Sequence, residues 1–283
     1  MENTTTREFH FTVLGRTLEH LGVQMYKHRD VAIAELVANC WDAGASTVHI
    51  WVPDEQHYDK NISEIVIVDD GLGMDDDQVQ DEYLVVGRNR RLFDNPSKIK
   101  RPVMGRKGIG KLAGFGIASN MAVITWTRKQ STTFILDIED LKKDAGITAN
   151  VPIEGIIGPP PANESYPTGT KIILTNLKHS TPIKLDDLRE ALSRRFSRAV
   201  RGEMKIYVNG VPIGEPNIEL AKRVPENGYA EDILPSGTKV KYFYGFSNGL
   251  IRSKQLHGFT IFVRGKTAQA PPFFFGVEKD TTK

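Results

Sequence analysis

The chain has one cysteine in 283 residues, so no intramolecular disulfide can staple it. A reducing compartment, the cytoplasm, is the expected setting. It has no apolar run long enough to cross a bilayer. Its start, MENTTTREFHFTVLG, lacks the basic end and apolar stretch of a secretory signal. A soluble, intracellular protein with no membrane partner is therefore expected. Net charge is also nearly absent: 37 lysines and arginines stand against 35 aspartates and glutamates, leaving +2. No global field then points to nucleic acid or lipid, and any basic function must be local. Two nucleotide-binding signatures are missing as well, the P-loop and the Rossmann G-x-G-x-x-G.

What is present is a length sufficient for one large domain or two ordinary ones, and a stretch around which the rest is arranged. Residues 32–42 read AIAELVANCWD. On a helix Ile33, Leu36, Val37 and Cys40 fall on one face, which makes Cys40 a core thiol, while Glu35, Asn39 and Asp42 share the other. Asp30 is the expected cap of this helix and Gly44 its end; a preceding helix is expected over 15–28. Strands are expected at 47–52 and 64–68, the second running straight into DDGLGMD. A short helix follows over 77–86, then a basic, glycine-rich loop to Lys111 and a helix over 110–118. MAVITWT and TTFILDI read as two strands around a Lys129-Gln130 turn. Residues 145–168, with five prolines, read as an irregular surface excursion, and KIILT as a returning strand.

A domain boundary is expected just after that strand, giving 1–178 and 179–283. In the second part, a helix is expected over 186–201 with arginines on one side, then a hairpin over 205–213 on the Asn209-Gly210 turn. A strand over 258–264 precedes APPFFFG. Three consecutive phenylalanines there lead us to expect a second region that is incomplete or completed by another chain.

Three further motifs carry chemistry. Asp69-Asp70-Gly71-Leu72-Gly73-Met74 puts a carboxylate at a strand end, where it can accept from an exocyclic amine, with glycines that let backbone approach a flat ring. Gly105-Arg106-Lys107-Gly108-Ile109-Gly110-Lys111, with Gly114 and Gly116 behind it, presents successive N–H groups at a helix start, an anion site. Gly169-Thr170-Lys171-Ile172-Ile173-Leu174 begins a strand with a hydroxyl.

In this order the four stretches resemble the sequence boxes of the GHKL ATPases (gyrase, heat-shock chaperone, histidine kinase, MutL) over roughly residues 10–178. E-L-V-x-N-x-x-D-A and GTKIIL look most like the heat-shock chaperone and MORC-type branches. The resemblance implies an α+β fold: a two-layer α/β sandwich of the Bergerat type with a mixed sheet, followed by the start of a transducer-like region. It implies ATP and Mg²⁺ as cofactors, Glu35 as general base, and Asn39 as the Mg²⁺ ligand. Asp69 would read the adenine amine with help from Thr170, Asp70 being the alternative one residue on. Gly71, Gly73 and Met74 would lie against the base. Gly105, Lys107, Gly108, Ile109, Gly110 and Lys111 would wrap the phosphates, with Lys107 and Lys111 as direct contacts. Arg88, Arg90, Arg91, Lys98, Lys100, Arg101 and Arg106 make the stretch that would be the lid basic, to be read in order of preference as counter-charge for a triphosphate, a solvated loop or a nucleic-acid contact. A γ-phosphate sensor would come from Arg252, Lys254, Arg264 or Lys266.

The function so implied is an ATP-hydrolysing switch that dimerises with ATP and acts on a macromolecular partner, with a protein partner expected and nucleic acid left open. The competing readings are an ATP sensor with negligible turnover and a histidine kinase catalytic domain. No recognisable phosphoacceptor-histidine helix supports the last.

Overall fold

The computed structural model describes residues 4–14, 28–86, 101, 103–105, 110–143, 148–196, 202–214, 220–249, 261–263 and 266–267. The expected helix over 15–28 lies almost wholly outside these, as do the basic loop over 87–100, Arg106, Lys107, Gly108 and Ile109. Arg252, Lys254, Arg264 and the three phenylalanines also lie outside them.

A ten-stranded mixed sheet organises the first compact unit. Its strands are β1 (Thr5–Leu14), β2 (Thr47–Trp51), β3 (Ile65–Asp69), β4 (Val85–Val86), β5 (Ala118–Trp126), β6 (Ser131–Asp137), β7 (Thr148–Gly158), β8 (Gly169–Leu177), β9 (Lys205–Val208) and β10 (Val211–Pro212). Their spatial order is β10-β9-β2-β3-β8-β5-β6-β7-β1-β4. The β1–β4 and β2–β9 pairs are parallel and the others antiparallel. The helices are α1 (Arg29–Asp42), the single turn α2 (Asp76–Gln78) running into a π-helical turn at Val79–Tyr83, α3 (Ile138–Lys143) and α4 (Leu185–Arg195). The chain is thus the expected α+β sandwich around a mixed sheet.

Successive side chains of a strand point to opposite faces, so the register sorts the sheet into rows. One inner row runs Ile50, Ile67, Ile172, Val123, Phe134, all buried. The next inner row toward the end of β3 runs Val48, Asp69, Thr170, Thr125, Thr132, also buried but polar after its first member. α1 covers this inner face and is buried nearly all round, with Ala32, Ala34, Ala38 and Trp41 joining the expected Ile33, Leu36, Val37 and Cys40. Its cap is His28 by position, without a side-chain bond, while Asp30 sits in the first turn, where its charge complements the helix dipole. Gly44 ends the helix at φ +83°, as expected.

Several expected elements differ. The helix expected over 77–86 is only α2 and the π-helical turn, closed by a reciprocal Asp75–Gln78 capping box. The helix after the glycine loop is a 3₁₀ turn at Gly110–Gly116. The excursion expected over 145–168 contains β7, whose eleven residues pair with β1 along ten positions. Pro152 is compatible because β6 pairs with β7 only over Gly155–Gly158, leaving the edge near Pro152 without a ladder to break. No element was expected over Thr5–Leu14, yet β1 fills the sheet there, with Phe9 and Phe11 buried. Arg7 ties it to Asp76 and Asp77.

The unit runs to Gly214, with Val263–Lys266, past the boundary expected at residue 178. The Asn209-Gly210 hairpin forms as expected, with φ +47° and +77°. It belongs to the main sheet, because β9 adds in parallel to β2 from Thr47–Lys205 to Ile50–Val208. The second unit, Glu215–Phe262 with Thr267–Lys283, contains two small ladders. These pair β11 (Leu220–Val224) with β14 (Tyr244–Ser247), and β12 (Ala230–Ile233) with β13 (Lys239–Tyr242).

Gly155 of β7 is where β1 fixes a residue type: a Cβ there would lie 2.0 Å from Phe9 Cε2. Gly155→Ala should destabilise the protein by about 1–3 kcal/mol through overpacking, measured by urea unfolding. Combined with Phe9→Leu, much of that loss should be recovered; equal stability of Gly155→Ala and wild type would refute the β1–β7 packing.

Candidate functional site

The polar row on the inner face ends in a carboxylate. Asp69 is only 4% exposed, and burial pushes its carboxyl up to about 7. The N–H groups of Gly71 and Thr170 and the thiol of Cys40 oppose that rise by bonding to the carboxylate. The Gly71 N–H lies 2.8 Å from Asp69 Oδ1. Cys40 also donates to the Leu36 carbonyl, and its thiol is held well above its ordinary pKa by burial first and by Asp69 second. It is a core thiol, as expected, and not a nucleophile.

Asp69, Thr170 and Thr125 stand side by side on β3, β8 and β5. The Thr125 and Thr170 hydroxyls are 3.2 Å apart, and Thr125 Oγ1 accepts from the Met74 N–H at 2.9 Å. Beyond them the buried Thr132 hydroxyl has no hydrogen-bond partner among the described residues. Gly71 and Gly73 make the loop fit. A Cβ on Gly73, whose φ is +64°, would lie 1.9 Å from the Trp126 carbonyl, and one on Gly71 2.7 Å from Asp69 Oδ1. The loop is closed by Leu72 N–H to Ala43 O and by the Thr168 hydroxyl to Gly71 O. Asp70 does something else: it accepts from the Ser46 and Thr47 N–H groups at 2.7 Å and so caps the start of β2. Of the two acids, Asp69 is the one that lies in the buried polar row.

Glu35 and Asn39 stand one turn apart on α1, both half-buried, and converge on the glycine segment. A Cβ on Gly110 would lie 3.4 Å from Glu35 Oε2 and 3.5 Å from Asn39 Oδ1. A carboxylate and an amide oxygen thus bracket the start of the 3₁₀ turn. Asp42, on the same helix, accepts from the Met104 and Gly105 N–H groups at 2.7 and 2.8 Å and fixes where the glycine segment enters. Its sequence position on the polar face pointed toward this side, but not to the backbone it holds.

Two basic residues of this stretch bond to backbone carbonyls. Arg101 stacks over Trp41 at 3.8 Å and donates to the Trp41 and Ala45 carbonyls, closing the C-terminal end of α1. Lys111 is buried and donates to the Glu82 and Val85 carbonyls at 3.0 and 2.7 Å. Its ammonium closes the end of the π-helical turn.

A buried acceptor in a polar row, a carboxylate–amide pair and a glycine segment at a helical start are the groups that a base and its phosphates would need. Comparison with known families agrees. Residues 26–158 match the family described as histidine kinase-, DNA gyrase B-, and HSP90-like ATPases. The match spans Glu35, Asn39, Asp69 and the glycine segment and stops before Thr170. One curated relative, "Putative type II restriction enzyme HgiDII" of Herpetosiphon aurantiacus, is 32% identical over 209 residues, 74% of this chain. The chain covers 33% of that protein's length. Neither match selects the heat-shock chaperone or MORC branch. The family match makes an adenine nucleotide the ligand to test against these residues.

The residues fit that ligand. Asp69 offers a carboxylate acceptor in a dry setting, the right complement to an exocyclic amine. Glu35 and Asn39 are hard oxygen donors of the kind Mg²⁺ takes, and among the described residues no group of three or more His, Cys, Asp or Glu side chains could hold a metal alone. Mg²⁺ here would draw most of its ligands from phosphates and water.

Asp69 sets a pH dependence. Its folded pKa is raised, so between 3.8 and about 7 the folded state holds a proton the unfolded state has lost. Its contribution is fully present below 3.8 and is lost as pH rises through about 7. The wild-type stability relative to Asp69→Asn should fall across that window by up to about 1.4 kcal/mol per pH unit, read by urea unfolding at each pH. A pH-independent difference would show the carboxyl is not buried as described.

Proposed function

We propose that this chain is a Mg²⁺-dependent ATP-binding and ATP-hydrolysing switch. The observation that supports it most is the convergence of Glu35 Oε2 and Asn39 Oδ1 on Gly110, beside the buried row headed by Asp69. In this reading Asp69 and Thr170 fix the adenine, and Gly71, Gly73 and Met74 lie against it. Gly105, Lys107, Gly108, Ile109 and Gly110 take the phosphates, and Asn39 holds Mg²⁺. When bound, Mg²⁺ neutralises the phosphate oxygens. Glu35 accepts the proton of the attacking water, an amide being unable to do so and the carboxylate being well suited. Positioning and charge supply the rest.

The ATP cycle is proposed to close two copies of the chain together and to act on a larger partner. The relative's name turns that question toward DNA: the matched third would be the nucleotide-responsive part of a DNA-cleaving protein. The region after the main sheet would relay the nucleotide state to it, in the manner of a transducer.

Calorimetry with Mg²⁺–ATP should show one site per chain, weakened about 10- to 100-fold by Asp69→Asn, the loss of a charge-assisted hydrogen bond. Glu35→Ala should leave affinity within about threefold and cut phosphate release by at least about 100-fold. Unchanged release in Glu35→Ala would make the chain an ATP sensor instead of a hydrolase. A rise in mass with a non-hydrolysable analogue by light scattering would support dimer closure; constant mass would exclude it.

A further inference from the structure

The sheet has a second face. Opposite the polar row, an outer row runs Trp51, Val66, Ile173, Ala122, Ile135 across β2, β3, β8, β5 and β6, and its end members are 42% and 60% exposed. On this face, away from Asp69, lies a cleft of about 460 Å³. Its floor is Val66, Val68 and Ile173. One wall is an aromatic stack, His49 against Trp51 at 5.3 Å and against Tyr207 of β9 at 4.8 Å, all near parallel. The other wall is the segment Glu164–Tyr166.

That wall is held in place. The Tyr166 carbonyl accepts from the buried Trp126 indole at 2.9 Å, and its hydroxyl meets His49 Nε2 at 3.0 Å. The cleft is therefore pre-formed by tertiary bonds, which lowers the ordering cost of filling it.

The charges of the lining choose the occupant. Glu164 pairs with Lys171 at 3.2 Å, and Glu64, exposed at the start of β3, has no ion pair among the described residues. His49 is kept neutral by burial, its pKa lowered. Two carboxylates then face one ammonium in a slot with an apolar floor and an indole wall. An anion or a nucleic-acid strand would meet net negative charge here with one paired lysine to receive it. A planar cation meets a carboxylate and a ring face together.

We propose that this cleft receives the guanidinium side chain of an arginine carried by a protein partner, with Trp51 as the stacking face and Glu64 as the counter-charge. The partner segment would lie across the outer face of the sheet, independent of the nucleotide site.

The test uses Trp51 as its own reporter, since Trp41 and Trp126 are 3% and 1% exposed. Tryptophan emission of the full chain is titrated with a capped Gly-Arg-Gly peptide, its citrulline counterpart, and a short oligothymidylate. The arginine peptide should give a saturable change, lost in Trp51→Phe, with the citrulline peptide and the Glu64→Gln protein each weaker by about tenfold. Unchanged thermal unfolding of Glu64→Gln would show that the loss is local. No saturable change, equal binding of citrulline and arginine, or saturable binding of oligothymidylate in their place would overturn the proposal.

Discussion

A carboxylate taken out of water at the end of a strand is the constraint on which the site depends. Asp69 would be costly if left alone, and its surroundings are built to offset that cost. Gly71 and Thr170 turn backbone N–H groups on it, Cys40 contributes its thiol, and the close turn that makes this geometry works only because Gly71 and Gly73 carry no Cβ. The cost is offset only in part, since the carboxyl still titrates near 7. A buried acceptor not fully satisfied by the protein is well placed to bond a ligand amine, which replaces what water would otherwise supply.

The same sheet does different work on its two faces because side chains alternate. The inner face is apolar under α1 except where the row through Asp69, Thr170, Thr125 and Thr132 crosses it, and the site lies where that row meets α1 and the glycine segment. Helix α1 serves both layers. Its apolar residues fill the core, while Glu35, Asn39 and Asp42 address the segment from Met104 to Gly110. A change in the angle of this helix would therefore move Glu35, Asn39, Asp42 and the glycine segment together, which is a mechanical reason for placing them on one rigid element.

Arg101 and Lys111 show what a structure adds to local charge. Both belong to a stretch whose basic character suggests an anion, yet both spend their donors on backbone carbonyls at the ends of helical segments. A helix C-terminus presents unpaired carbonyls and negative partial charge, so it competes with any phosphate for a nearby cation. Sequence records the charge but not the competitor. Arg101 thereby joins the end of α1 to the entry of the glycine segment, a structural tie between two parts of the site.

Sequence alone determined the parts whose evidence is local. The spacing of Ile33, Leu36, Val37 and Cys40 specified α1 and its polar face, β-branched runs specified β2, β3, β5, β6 and β8, and Asn209-Gly210 specified a hairpin. The ordered motifs named the residues of the candidate site. What only tertiary structure decided depends on pairing between distant segments. Strands β1 and β7 carry weak local signals, with Pro152 arguing against one of them, and exist because each satisfies the other's backbone. The hairpin joined the main sheet because β9 found the free edge of β2. Asp69 lies on the buried face because antiparallel register set it beside Thr170, while Asp70 was taken by the N–H groups of Ser46 and Thr47. Periodicity and turn chemistry act over a few residues; register and burial are settled only when the whole sheet is assembled.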